Sequence, residues 1–160
     1  MGTNVVQLST GLAAKMVHEG SAVGGLAELL NNCQINIYAG SVPATADADG
    51  TGATLLASIV KSGAGTYNLT WDTTLLNGLL AKPSSDTWEA PLSGGIAASG
   101  TAAFWRILLT GDSNGASTTA LRIQGQAGND STFSLFLNST ALVSGNPLAL
   151  SAFQIQLPVN

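Results

Sequence analysis

The chain has 160 residues, 45% of them hydrophobic and only 9% charged, which fits one domain with an ample core and a surface far poorer in charge than the roughly 25% usual for soluble domains. A disordered chain is excluded, since that needs high charge and few apolar residues. The net charge of −4 comes with five basic residues spread singly as Lys15, Lys61, Lys82, Arg106 and Arg122, so no basic stripe could follow a phosphate backbone and the sequence predicts no nucleic-acid partner.

No apolar stretch approaches the roughly 20 residues that span a bilayer, so no membrane partner is expected. The N-terminus lacks a basic segment leading into an apolar stretch and a cleavage site, and no signal peptide is predicted. Cys33 is the single cysteine, so no internal disulfide can form. Synthesis in a reducing cytoplasm fits both. A surface this poor in charge is hard to keep monomeric, and it is the surface expected of a chain that is buried in an assembly.

Residues 1–32 form a first region. Leu12, Met16 and Val17, then Leu26, Leu29 and Leu30, recur at helical spacing in two short pieces. Ser9 is placed to cap the first, and Gly20, Gly24 and Gly25 break the pattern between them. Neither piece is long enough to be stable alone. The arm must therefore lie on the chain's own β domain or on a neighbouring subunit.

From Cys33 to Asn160 the pattern becomes short β-branched and aromatic runs separated by Gly, Pro, Asn, Asp and Ser. The predicted strands are 34–39, 54–61, 87–92, 103–110, 119–126, 132–137 and 152–157. Ile35, Ile37 and Ala39 alternate with Gln34, Asn36 and Tyr38, and Phe153, Ile155 and Leu157 alternate with Gln154 and Gln156; each is the mark of one core face and one polar face. The expected fold is mainly β, an antiparallel sandwich or jelly roll preceded by a short helical arm. Residues 69–80 suit a short helix or an irregular crossing, with Trp71, Leu75, Leu76, Leu79 and Leu80 buried. The Gly/Ala/Ser stretch 93–102 reads as a mobile or lattice-facing loop.

Several motifs suggest chemistry and fall short of it. In Asp47-Ala48-Asp49-Gly50 an EF-hand alignment would put Leu56 where a bidentate Glu is required, so a turn is expected there, with a weak cation site at Asp47 and Asp49 as the lesser reading. Gly111-Asp112-Ser113-Asn114-Gly115 resembles a serine-nucleophile loop, yet the only histidine, His18, lies in the arm; without a base the serine is inert and a tight turn is the better reading. His18 and Cys33 are too few for a metal site. His18 is expected to be solvated and Cys33 to be a small core hydrophobe. The acids fall mostly in turns, which disfavours a paired-carboxylate glycosidase. The Asn-X-Ser/Thr triplets at Asn68, Asn129 and Asn138 carry no weight without a secretory signal. The sequence therefore points away from an enzyme, and no cofactor or metal is expected. Of the aromatics, Trp88 is assigned to the core. Phe104 and Trp105 must point to opposite faces, one inward and the other under the arm or at an interface, where Trp is often a hot spot.

The run Ile35-Asn36-Ile37-Tyr38-Ala39-Gly40-Ser41-Val42-Pro43-Ala44-Thr45-Ala46-Asp47, followed by Leu55-Leu56-Ala57, resembles small virion proteins of tailed bacteriophages. An amphipathic arm precedes such a strand in many of them, and a later strand like Ala103-Phe104-Trp105-Arg106-Ile107 leads into a turn like Gly111-Asp112. The likeness covers about two-thirds of the chain, and residues 69–85 depart from it. It implies a structural protein of the virion, foremost a capsid decoration or cement protein bound across the major capsid protein lattice. Self-association is expected with it, a homotrimer before a dimer. Leu12, Met16, Leu26, Leu29 and Trp105 are the candidate interface residues. A tail or neck component is the alternative within that world. A carbohydrate-binding module is the alternative of another class, and it needs Trp88 or Trp105 exposed on a flat platform.

Overall fold

A computed structural model describes residues 6–18, 25–63, 65–74, 79–91 and 95–156. The fold is mainly β. In chain order the elements are β1 (Gln7–Leu8), α1 (Thr10–His18), α2 (Gly25–Leu29), β2 (Cys33–Ala39), β3 (Thr54–Lys61), β4 (Leu79–Ala81), β5 (Trp88–Glu89), β6 (Gly100–Thr101), β7 (Phe104–Leu109), β8 (Ile123–Gly128), β9 (Leu135–Phe136), β10 (Ala141–Leu142), β11 (Ala149–Leu150) and β12 (Gln154–Gln156).

One large sheet runs in the order β1-β8-β7-β2-β3-β5-β11, antiparallel throughout, with β9 added to β8 in parallel. The pairs β10–β6 and β12–β4 make two small antiparallel sheets. The strands β2, β3 and β7 form on the longest runs of mostly apolar residues. β3 starts and ends where the sequence places it, and the centre of the sheet is the register Ile35↔Ile107 and Ile37↔Trp105 on one side of β2 with Ile35↔Ile59 on the other.

That register sorts the side chains between two faces. Cys33, Ile35, Ile37, Ile59, Trp105, Ile107 and Ile123 share one apolar face. Leu12 of α1, Leu30, Trp71, Leu80, Leu142, Phe153 and Ile155 pack with it in a single core, so helix and small sheets form a second layer in a sandwich-like arrangement. Phe153 sits among all three tryptophans, with ring centroids 5.2 Å from Trp105, 6.0 Å from Trp71 and 6.1 Å from Trp88.

The arm lies on its own sheet, one of the two supports expected for it. β1 pairs with β8, and Ser9, fully buried, makes the junction. Its hydroxyl donates to the Ala120 carbonyl at 2.6 Å and accepts from the Leu12 N–H at 3.2 Å and the Arg122 N–H at 3.0 Å. It is thus helix cap and sheet anchor together. Asp47 fixes the same helix end, accepting from the Thr10 N–H at 2.9 Å and the Thr10 hydroxyl at 2.5 Å. Gly11 is needed for this closeness, because a Cβ there would overlap the Thr119 carbonyl.

Three expectations need correction. The low-complexity stretch is pinned where it is described: Ile96 and Ala102 are buried, the Ala97 N–H donates to the Leu56 carbonyl at 2.7 Å, and Gly100–Thr101 is a strand. Small residues are there for close packing, since a Cβ on Gly100 would lie 2.9 Å from Leu56 Cδ2. The start of the 119–126 strand is delayed to Ile123, because the Ser117 hydroxyl accepts from the N–H groups of Thr119 and Ala120 and turns the chain. In the 69–80 segment, read as a short helix or an irregular crossing, Leu69 bridges to Cys33 and Leu79–Leu80 opens a strand, β4, that neither reading includes; Leu75 and Leu76 lie outside the described residues, as does Leu157.

Candidate functional site

The second face of the sheet is polar in sequence but covered in the fold. Gln34, Asn36 and Tyr38 are 6%, 5% and 4% exposed, where alternation alone predicts only a polar face. They hydrogen-bond along the strand: Gln34 Nε2 donates to Asn36 Oδ1 at 2.9 Å, and Asn36 Nδ2 to the Tyr38 hydroxyl oxygen at 3.0 Å. Tyr38 stacks on Phe104 at 4.9 Å between centroids, and burial pushes its pKa above the usual tyrosine value.

Beside this ladder stand two buried arginines. Arg106 on β7 donates from Nε and a terminal nitrogen to Gln124 Oε1 at 2.9 and 2.7 Å, to Asn114 Oδ1 at 2.6 Å, and to the carbonyls of Ala48 and Thr45 at 3.0 and 3.3 Å. Arg122 forks onto the Asp112 carboxylate, with its Nε at 2.6 Å from Oδ2, and donates to the Gly115 and Ala46 carbonyls at 2.8 and 3.4 Å. Gln124 donates onward to Gln7 Oε1 and the Pro43 carbonyl. Burial first, then the like charge of Arg122, lowers the pKa of Arg106; arginine nevertheless stays protonated in proteins. The cluster ties the 43–48 and 112–115 loops to β7 and β8. Its close fit shows at Gly50, where a Cβ would stand 2.7 Å from Asn114 Nδ2 and 2.8 Å from the Arg106 guanidinium. Such a network is structural: its donors are spent on internal acceptors, and Arg106 and Arg122 are 0% and 1% exposed.

The acidic residues are dispersed. Asp47 caps α1 and Asp112 holds Arg122. Asp49, Asp72 and Asp130 each accept from the N–H and hydroxyl of the threonine two residues on, which holds each carboxyl below its usual pKa. Both sequence motifs lie in turns and bends, at 44–48 and 110–116, with Asn114 at φ 61°. Among the described residues no three of His, Cys, Asp and Glu come together; the His18 side chain is outside them. Burial pushes the Cys33 thiol up to about 12, so it is no nucleophile at neutral pH.

The candidate interface residues separate by burial. Leu12 and Trp105 are both 0% exposed, so neither presents surface to a partner. Leu12 is drawn in because Ser9 anchors the helix; Trp105 occupies the core face of β7, with Nε1 donating to Ser134 Oγ at 3.0 Å. Phe104, the other member of the pair, is also buried, on the Tyr38 side. Leu26 and Leu29 are half-buried against the core. Met16 stands 40% exposed near the end of α1, beside Val17 at 75%. Trp88 is fully buried, so with Trp105 it forms no exposed sugar platform.

One exposed aromatic was missed. Phe136 is 55% exposed between two open clefts of about 320 and 600 Å³. Its signal was present in the alternation: Leu135 and Leu137 point inward, which places Phe136 on the side of Ser134 and Asn138. No family model, curated protein or solved structure matches the chain.

Proposed function

We propose that this chain is a non-enzymatic structural protein of a tailed-phage particle, a decoration or cement protein that binds across subunits of the major capsid lattice. The observation that carries the reading is the division of labour within the fold. The clustered ionisable groups are consumed internally as braces, while apolar side chains are displayed at the end of a firmly anchored helix. Met16 and Val17 on α1 are the proposed contact with the lattice. Because β1, Ser9, Asp47 and Leu12 hold α1 on the sheet, a contact at its far end bears on a rigid body, and it need not pay to order a loose arm. Many symmetry-related copies turn weak single contacts into slow release. The resemblance around Ile35–Asp47 supports the same reading. The protein would be made in the bacterial cytoplasm and reside in the virion.

The test is binding to purified heads that lack the protein. The double variant Met16→Glu, Val17→Glu changes only exposed positions; it should keep its circular dichroism spectrum and fail to saturate heads that the wild type saturates. Undiminished binding by the variant refutes the helix contact. Failure of the wild type to bind heads, or its attachment at tails or the neck alone, refutes the decoration role.

A further inference from the structure

We infer that the chain carries a self-association face built from its two charge-free segments, and that its occupant is the same face of a second copy. Residues 90–105 and 131–160 contain no ionisable side chain. The fold brings their described parts together. Gly100–Thr101 pairs with Ala141–Leu142, the Ala102 N–H donates to the Thr140 carbonyl at 2.8 Å, the Ile96 N–H to the Asn146 carbonyl at 3.0 Å, and the Ala90 N–H to the Leu148 carbonyl at 2.8 Å. The result is a surface region whose two clefts meet at Phe136, Ser151 and Ala152, lined by uncharged residues only. Val143, 52% exposed, lines one cleft and Phe136 lines both.

Charge selects the occupant. Removing the sequestered Arg106, Arg122 and Asp112 from five basic and nine acidic residues leaves three lysines against eight carboxylates. Two copies meeting through an acid-rich side repel one another, whereas two copies meeting through this face bring together clefts whose linings carry no ionisable side chain, with Glu89 and Asp130 at their border. A basic partner would gain nothing here and would be drawn to the acidic sides. A face that meets the same face of a second copy gives an isologous two-fold pair; a ring would need two different matching faces. Phe136 and Val143 supply the apolar anchors, with Asn138, Asn146 and Ser151 around them.

The inference stands without the virion reading, and its test uses the purified chain alone. Sedimentation velocity over a wide concentration range should show a monomer–dimer equilibrium little affected by salt. Phe136→Glu and Val143→Glu, both at exposed positions, should each weaken it by about tenfold or more, while Val42→Glu, at an exposed loop position 37% accessible, should leave it unchanged. Near-ultraviolet circular dichroism checks that each variant is folded. A wild type that stays monomeric, or assembles as a trimer, overturns the proposal. So does unaltered association of both face variants, or equal weakening by Val42→Glu. Dimerisation without head binding would sink the decoration role and leave this face intact; head binding by a strict monomer would do the reverse.

Discussion

At the scale of single residues the fold buries two arginines, Arg106 and Arg122, and gives them internal acceptors that include the Asp112 carboxylate. Arg122 and Asp112 have side chains 1% and 7% exposed, and taking away one partner strands the other charge where water cannot reach it. Asp112→Ala is therefore expected to cost about 3–5 kcal/mol in urea unfolding; a loss near zero would mean the pair is solvated. Cys33 gives a simpler readout. With its thiol pushed up to about 12 by burial, the native protein should resist a thiol-specific disulfide reagent at pH 8 and react with one equivalent once unfolded. The carboxylates of Asp49, Asp72 and Asp130 sit below their ordinary pKa because a threonine N–H and hydroxyl favour the ionised form. A lowered folded-state pKa adds stability that is present above the unfolded value and disappears as pH falls through the folded one. The melting temperature should thus drop on acidification below the usual carboxylate range, and Asp130→Asn should flatten part of that drop.

At the scale of elements the anchored arm is the feature that sequence reasoning brought closest without reaching. Ser9 is legible as a cap, because a hydroxyl residue before an apolar periodic run has that meaning locally. Its donation to Ala120 and its acceptance from Arg122 join residues more than a hundred positions apart, and no local pattern encodes them. Ser9→Ala should accordingly cost more than an isolated cap, about 2 kcal/mol or above by chemical denaturation. Removal of residues 1–30 should unfold the sheet, since Leu12 and Leu30 belong to its core; a soluble, cooperatively melting truncation would contradict this. β2, β3 and β7 are legible because each is a run of six to eight residues rich in β-branched, aromatic or other apolar side chains. The two-residue strands β1, β6, β10 and β11 are not, because a pairing that short is dictated by where tertiary contacts bring the chain. The same holds for the candidate site. Trp105 is recognisable as an anchor residue, but whether it anchors a partner or the core depends on Phe153 lying 5.2 Å away. Phe136 is legible in the alternation of its own strand, as an aromatic on the side of Ser134 and Asn138.

At the scale of the whole molecule, a buried brace of charges is combined with a charge-free stretch of surface. The sheet's apolar face holds the core, its polar face is closed by two arginines and their loops, and the charge-free segments lie together on the surface. Under the proposed function, such a body acts by being packed against. The account therefore turns on the chain being a stoichiometric part of an assembly. Quantitative mass spectrometry of density-purified phage particles, read as the ratio of this chain to the major capsid protein, tests that most directly. The account predicts a fixed ratio near a simple fraction of the lattice, reproduced between preparations. A chain absent from the particles, or present at a trace level that varies with washing, would contradict it.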